Sequence, residues 1–293
     1  SVCHVLRYTA YTQELKRLLD VGTIGEMVNV QHFEPVGYWH MAHSFVRGNW
    51  RREDESAFIL LAKSCHDMDW LRYVINKPCK QVVSFGSLKH FRKEEQPEGA
   101  SDRCWDCAVE ADCPYSAKRI YQRFYDQEKR AYPLDILTPE VTQENLDQAL
   151  QEGPYGRCVY ACDNDVCDNQ TVMMQFADGI TCNFTLSAFN EYTDRRTMIG
   201  GTKGEIIGDG KLITIYDFMT EEKTLIDTSE LNESVLEGHG GGDGGIMRNF
   251  IEAVEKNDPS LILSGPDQSL ESHLIAFAAE RSRRSGTIEK IEL

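Results

Sequence analysis

Two hydrophobic periods alternate along this chain. Leu15, Leu18 and Leu19 recur at helical spacing, with Thr9 or Thr12 as caps and Gly22 as the stop, which predicts a helix over 13–20. After Gly25, residues 27–33 alternate as a strand does. An apolar run at 60–62 leads into an amphipathic segment through Leu71, Val74 and Ile75, predicting a helix that carries Lys63, His66, Asp67 and Asp69. Strand patterns follow at 81–88 and 171–186, the second folded about Asp178-Gly179. Further strands are expected at 196–208, 211–216 and 223–226. Met247, Phe250, Ile251 and Val254 mark one late helix. Leu270, Leu274, Ala278 and Arg281 mark another, opened at Ser264-Gly265-Pro266 and closed by Gly286. Residues 1–8 and 287–293 read as terminal strands.

Runs of strands with helices segregated around them indicate an α+β fold: a large, mostly antiparallel open sheet with helices on one face. One stretch breaks the pattern. Residues 91–153 hold Pro97, Gly99, Pro114, Pro133, Pro139 and three cysteines, with helical patches at 116–125 and 143–150. They read as a Cys-containing insertion projecting from the main domain.

Composition narrows the class. A chain of 293 residues, 41% hydrophobic and 27% charged, fits one large domain or two small ones with a proper core. No run approaches ~18 apolar residues, so no membrane span is expected. A net charge of −16 argues against nucleic acid and anionic membranes as partners. With no secretory leader in view, the ten cysteines are expected as reduced thiols in a cytoplasmic protein. A start at Ser1 rather than Met is expected of a processed or truncated polypeptide.

The chemistry concentrates in a few places. His66 lies between Lys63 and Asp67, and helical spacing would set the latter two on one face. A histidine beside charged groups suits proton transfer near neutral pH; the same residues also fit a helix with one partly buried histidine. The loop-like stretch 37–52 packs Tyr38, Trp39, His40, His43, Arg47, Asn49, Trp50 and Arg51, rings and polar groups that can line a small-molecule pocket. Cys104, Cys107 and Cys113 offer three thiolates to zinc, with Cys158, Cys162, Cys167 or His90 as a fourth ligand through folding; reduced loop cysteines are the other reading. The polar cluster Asp163, Asn164, Asp165, Asp168 and Asn169 lacks EF-hand spacing and reads as a strand edge facing a ligand or holding loops. From His239 to Gly245, five glycines surround Asp243; they permit close backbone approach, anion binding at a helix start, or a flexible loop.

Taken together, these pieces resemble the Gfo/Idh/MocA family, the glucose-fructose oxidoreductase and inositol dehydrogenase group. The matching segments are 7–30, Gly48-Asn49-Trp50-Arg51 followed by 60–74, then 172–189, 200–206 and 267–286. The resemblance implies a hydride-transfer enzyme acting on a sugar, polyol or related hydroxy compound with NAD or NADP. Residues 1–10 would be the last strand of a Rossmann domain whose remainder is missing. Residues 11–293 would form the substrate-binding and oligomerisation domain, with the insertion at about 91–153 and the sheet face packed on another subunit in a homo-oligomer. His66 takes the position of the family's acid–base group. Many members carry an aspartate four residues earlier, where this chain has Ala62, so Lys63 or Asp67 would assist. Arg7, Tyr8, His40, His43, Trp50, Arg51, Asn164 and His239 would contact substrate. No cofactor-binding residue, and no dinucleotide glycine loop, is expected in this chain. The alternative function is a non-catalytic carbohydrate-binding or oligomeric scaffold domain.

Overall fold

Alternation along the strands decides which side chains enter the core. The computed structural model describes residues 1–191, 194–231 and 238–292. Its sheet is built from β1 (Met27–Pro35), β2 (Cys79–Ser87), β3 (Asn169–Phe176), β4 (Thr181–Ser187), β5 (Arg196–Gly201), β6 (Gly204–Gly208), β7 (Leu212–Asp217), β8 (Lys223–Asp227) and β9 (Glu289–Lys290). The spatial order is β8-β7-β6-β5-β1-β4-β3-β2-β9. Every pairing is antiparallel except β1 with β4, so the expected mostly antiparallel open sheet is present.

Six helices accompany the sheet: α1 (Ala10–Asp20), α2 (Cys65–Ile75), α3 (Ala117–Asp126), α4 (Gln143–Glu152), α5 (Gly242–Glu255) and α6 (Pro266–Ser285). The amphipathic α1 starts where the Thr9 hydroxyl accepts the Thr12 N–H, 3.1 Å. Central α6 lies along β2 and α2. There Ser282 Oγ accepts the Ser84 N–H at 3.0 Å, tying helix to strand.

Four expectations change. Residues 1–8 are not a strand: Val5–Tyr8 is a 3-10 turn, and Val2 donates to the Ser264 carbonyl. That turn carries Arg7 inward to a buried aspartate, which an edge strand would not do. The helix expected through 60–75 is broken; a turn over Ile59–Ala62 ends at Lys63 and Ser64 before α2 begins at Cys65. Lys63 and Asp67 are therefore not neighbours on one helix. The loop-like 37–52 is largely helical. Gly37, at φ 84°, turns the chain out of β1 into Tyr38–His40 and then the π-helix Met41–Arg47, whose residues are all buried. Apolar Met41, Ala42, Phe45 and Val46 explain that burial. Finally, the insertion does not project. Phe91, Tyr121, Leu134 and Leu146 belong to the same buried cluster as Val172 and Phe184 of the sheet. Its helices α3 and α4 stand where the pattern placed them, capped by Ser116 and Thr142.

Candidate active site

The centre of the site is the inner face of β1 against the start of α2. Strand alternation buries Val30, His32 and Glu34 there. The β1–β5 register sets Phe33 opposite Arg196, and so brings Arg195 to Glu34. Arg195 Nε lies 3.0 Å from Glu34 Oε2 and also reaches the Asp67 carboxylate. His32 Nε2 lies 3.1 Å from Asp67 Oδ1, while His32 Nδ1 is 2.7 Å from the Thr197 hydroxyl. Lys63 Nζ, freed from the helix by the break before α2, lies 3.1 Å from Glu34 Oε1. Two carboxylates, a lysine, an arginine and a histidine thus form one cluster, in which Glu34, Asp67 and His32 are buried.

Their protonation follows from charge and burial. Burial pushes the Asp67 carboxyl up, but Arg195 and His32 outweigh it and hold Asp67 well below the usual carboxylate range. Its place in the first turn of α2 acts in the same sense. Burial and the neighbouring Asp67 charge raise Glu34, only partly offset by Arg195 and Lys63. Two adjacent carboxyls pushed apart in this way are a common arrangement for acid–base work.

His66 sits one residue before Asp67, half-buried, with Nδ1 lacking a hydrogen-bond partner. Burial is the main cause that lowers it to about 4, with Arg195, His4 and His239 adding repulsion against the pull of Asp67. The ring is therefore neutral at pH 7 and able to accept a proton. Its centroid lies 6.1 Å from that of His239 and 5.8 Å from that of His4. His4 in turn is 5.6 Å from His273 on α6. Below this cluster Arg7 grips Asp69 through Nε and Nη2, both at 2.7 Å, and Ser272 Oγ donates to the same carboxylate at 3.1 Å.

A cleft of about 870 Å³ opens beside the cluster, lined by Thr9, Thr12, His32, Trp70, Arg195 and His239 among others. His66 does not line this cleft itself; it stands behind His239.

The expected substrate residues separate into two groups. His239 reaches the cleft, and His40 is half-buried beside Lys63, lowered to about 3 first by burial and then by that lysine. The others are engaged elsewhere. Arg7 is committed to Asp69, and Tyr8 Oη lies 2.8 Å from Ser264 Oγ. His43 is buried against Tyr121 Oη, 2.9 Å away, and stacks on Tyr155. Trp50 is 49% exposed, and Arg51 pairs with Asp163 near the surface. Asn164 donates to the Phe91 carbonyl at 3.0 Å. Arg7, Tyr8, His43, Arg51 and Asn164 thus spend polar groups on contacts within the fold.

Residues that pattern reading missed include His4, His32, Glu34, Arg195 and His273. His32 and Glu34 were findable, since two polar residues on the inner face of a strand demand partners. Arg195 and His273 carried no local signal.

Two motif readings are corrected. A G-x-G-x-x-G spacing does occur, at Gly240, Gly242 and Gly245, contrary to the expected absence. It follows a 3-10 turn rather than a strand. A Cβ on Gly242 would meet the Val5 carbonyl at 2.5 Å, and one on Gly245 the Tyr8 carbonyl at 2.6 Å. These glycines let α5 press onto the Val5–Tyr8 turn and leave no room for a pyrophosphate there. The zinc expected on Cys104, Cys107 and Cys113 is not supported either. Among the described residues, no three histidine, cysteine or carboxylate side chains are placed to hold a metal ion.

With this geometry in view, comparison with known proteins is informative. A family model described as "Oxidoreductase family, C-terminal alpha/beta domain" matches residues 16–293. YteT of Bacillus subtilis (strain 168), named as an oxidoreductase, is 23% identical over 294 residues, covering 96% of this chain and 67% of YteT. A levoglucosan dehydrogenase solved with NADH and levoglucosan shares the fold at TM-score 0.62 and 14% identity, over 100% of this chain and 66% of its own. An oxidoreductase domain protein from Kribbella flavida does so at 0.62 and 15%, over 99% and 66%. An oxidoreductase from Agrobacterium radiobacter, solved with NAD+, L-tartaric acid and magnesium, gives 0.58 and 14%, over 98% and 63%. The chain spans just under two thirds of these solved chains. No described helix is long and apolar enough to cross a membrane.

Proposed function

Because the chain belongs to this oxidoreductase family through its C-terminal alpha/beta domain, we propose that it is the substrate-binding and catalytic-base part of an NAD(P)-dependent dehydrogenase acting on a sugar, polyol or related hydroxy compound. The observation that carries this reading is the neutral His66 ring, its Nδ1 unpartnered, beside His239, which lines the cleft. Solved relatives that share the fold are complexed with NADH or NAD+ and with a sugar or hydroxy acid, which supports both the cofactor and the substrate class.

In this reading the nicotinamide, held by a nucleotide-binding domain outside these residues, supplies the hydride acceptor. His66 takes the proton from the substrate hydroxyl. Asp67, fixed by His32 and Arg195, keeps a negative charge next to the imidazolium that forms. Lys63 and its partner Glu34 replace the carboxylate absent at Ala62 as the polar group preceding His66. His40 and His239 contact the substrate.

The sheet's open face supports an oligomer. One row crosses it as Leu225, Thr214, Ile207, Met198, Gln31, Asn183, Met173 and Val83. Leu225 and Met173 there are 64% and 58% exposed, apolar side chains that a second subunit would cover.

The test is His66→Ala in the full-length protein, assayed with a panel of sugars, polyols and hydroxy acids. Turnover is expected to fall by ~10²–10⁴-fold with KM little changed; wild-type turnover in this variant would remove His66 from the role.

A further inference from the structure

His4 is 4% exposed, yet neither of its ring nitrogens has a hydrogen-bond partner among the described residues. Burying an imidazole without using its polar atoms is costly, so these atoms call for a role. The ring is held firmly in place. Val2 donates to the Ser264 carbonyl at 2.9 Å, Arg7 is bonded to Asp69, and Tyr8 to Ser264, which together pin the turn that His4 leads into.

These bonds set His4 beside His66. The two ring planes cross at 88°, with 5.8 Å between centroids. His4 Nε2 lies 3.6 Å from Asp69 Oδ1. Burial above all, with His273 and Arg7 adding repulsion, holds the His4 imidazole below its ordinary value against the pull of Asp69. A neutral imidazole has one N–H and one lone pair. The Asp69 carboxylate favours the hydrogen on Nε2, which leaves the lone pair on Nδ1.

His66 needs such an acceptor. Its Nδ1 is the buried, unpartnered nitrogen, so Nε2 is the one left to take a proton from a substrate. Nε2 has a free lone pair only if the hydrogen of the neutral ring sits on Nδ1. Which nitrogen carries it is set by the bond the other makes. His239, the other ring beside His66, is exposed and has its Nδ1 3.0 Å from Asp243, whereas the nitrogen to be partnered is buried. No direct bond joins His4 and His66 at their present separation. Catalytic hydrogen bonds are often long in the free protein and tighten in the reacting complex.

We infer that His4 is a positioning residue for the proposed dehydrogenation: its Nδ1 accepts the His66 Nδ1–H, and Asp69 orients His4 in turn. The inference rests on the reading of His66 as the base. The substrate O–H proton passes to His66 Nε2 while the hydride leaves the carbinol carbon for the nicotinamide. His66 Nδ1 keeps its own proton, and the positive charge that forms is shared towards His4 and the Asp69 carboxylate behind it.

The experiment uses full-length protein with 15N-labelled histidine, whose NMR spectrum at pH 7 reads the tautomer without a substrate. The wild type should hold His66 as the Nδ1–H tautomer. His4→Phe, which keeps a ring but offers no acceptor, should lose that tautomer. His4→Asn, whose amide oxygen can stand where Nδ1 stood, should keep it. With NAD+ and the best substrate of the panel used for His66→Ala, turnover of His4→Phe should fall by ~10²-fold or more with KM little changed, and His4→Asn should stay within ~10-fold of the wild type. A role in packing alone would order the variants the other way, since Phe fills the volume of the ring and Asn does not. If His4→Phe does not fold, the wild type and His4→Asn decide. An Nε2–H tautomer of His66 in the wild type, or its appearance in His4→Asn, overturns the inference. Wild-type turnover in His66→Ala removes the base itself. Loss of turnover there with wild-type turnover in His4→Phe overturns the role of His4 alone.

Discussion

His66, His40 and His43 are all held neutral by burial, and this links the site to acid stability. Their folded-state values, about 4, about 3 and about 4, lie below the unfolded value near 6.5. Between those limits the unfolded chain binds more protons than the folded one, so stability falls as pH drops from about 6.5 towards 4. Denaturant unfolding across that window should show this slope, and His43→Asn should flatten it; an unchanged slope would mean that His43 does not titrate this way. If His66 is the base, as proposed, it must be neutral to act, and the acid limb of kcat/KM for the full-length protein should lie below the ordinary histidine value of ~6.5. A limb at or above that value would point to a different group.

At the scale of elements, the packing of the Val5–Tyr8 turn, α2 and α6 depends on one buried pair. Arg7 and Asp69 are each about 1% exposed or less and bonded to each other at two points. Removing one partner strands the other charge. Asp69→Asn or Arg7→Met should therefore each cost about 3–5 kcal/mol in urea unfolding. The double variant should cost less than the two singles added, because neither charge is left behind. Strict additivity would show that the pair does not couple these elements. The glycines of α5 act at this scale too: Gly242 and Gly245 matter for the close approach of helix to turn, where sequence reading had also allowed an anion site or a flexible loop.

Across the whole molecule, one face of the sheet carries buried core side chains and the other leaves large apolar side chains exposed. Phe85, 66% exposed, lies on the outer side with Val83 and Met173. If a second subunit covers this face, Met173→Asp combined with Phe85→Asp should lower the mass measured by light scattering to that of a single chain. An unchanged mass, whether monomeric or not, would place any interface elsewhere.

The sequence by itself determined the strand and helix inventory of the sheet and the positions of α3, α4 and α6. Those features rest on local periodicity, caps and glycine stops, which neighbouring residues carry among themselves. Only the tertiary structure decided who partners whom. Lys63 was expected to share a helix face with Asp67, but a break before α2 gives it to Glu34, and Arg195 reaches Asp67 through the β1–β5 register. Arg7, Tyr8 and His43, expected to contact substrate, are bonded to Asp69, Ser264 and Tyr121. Such pairings are set by which faces bury together, information spread over the whole chain rather than held in any one stretch of it.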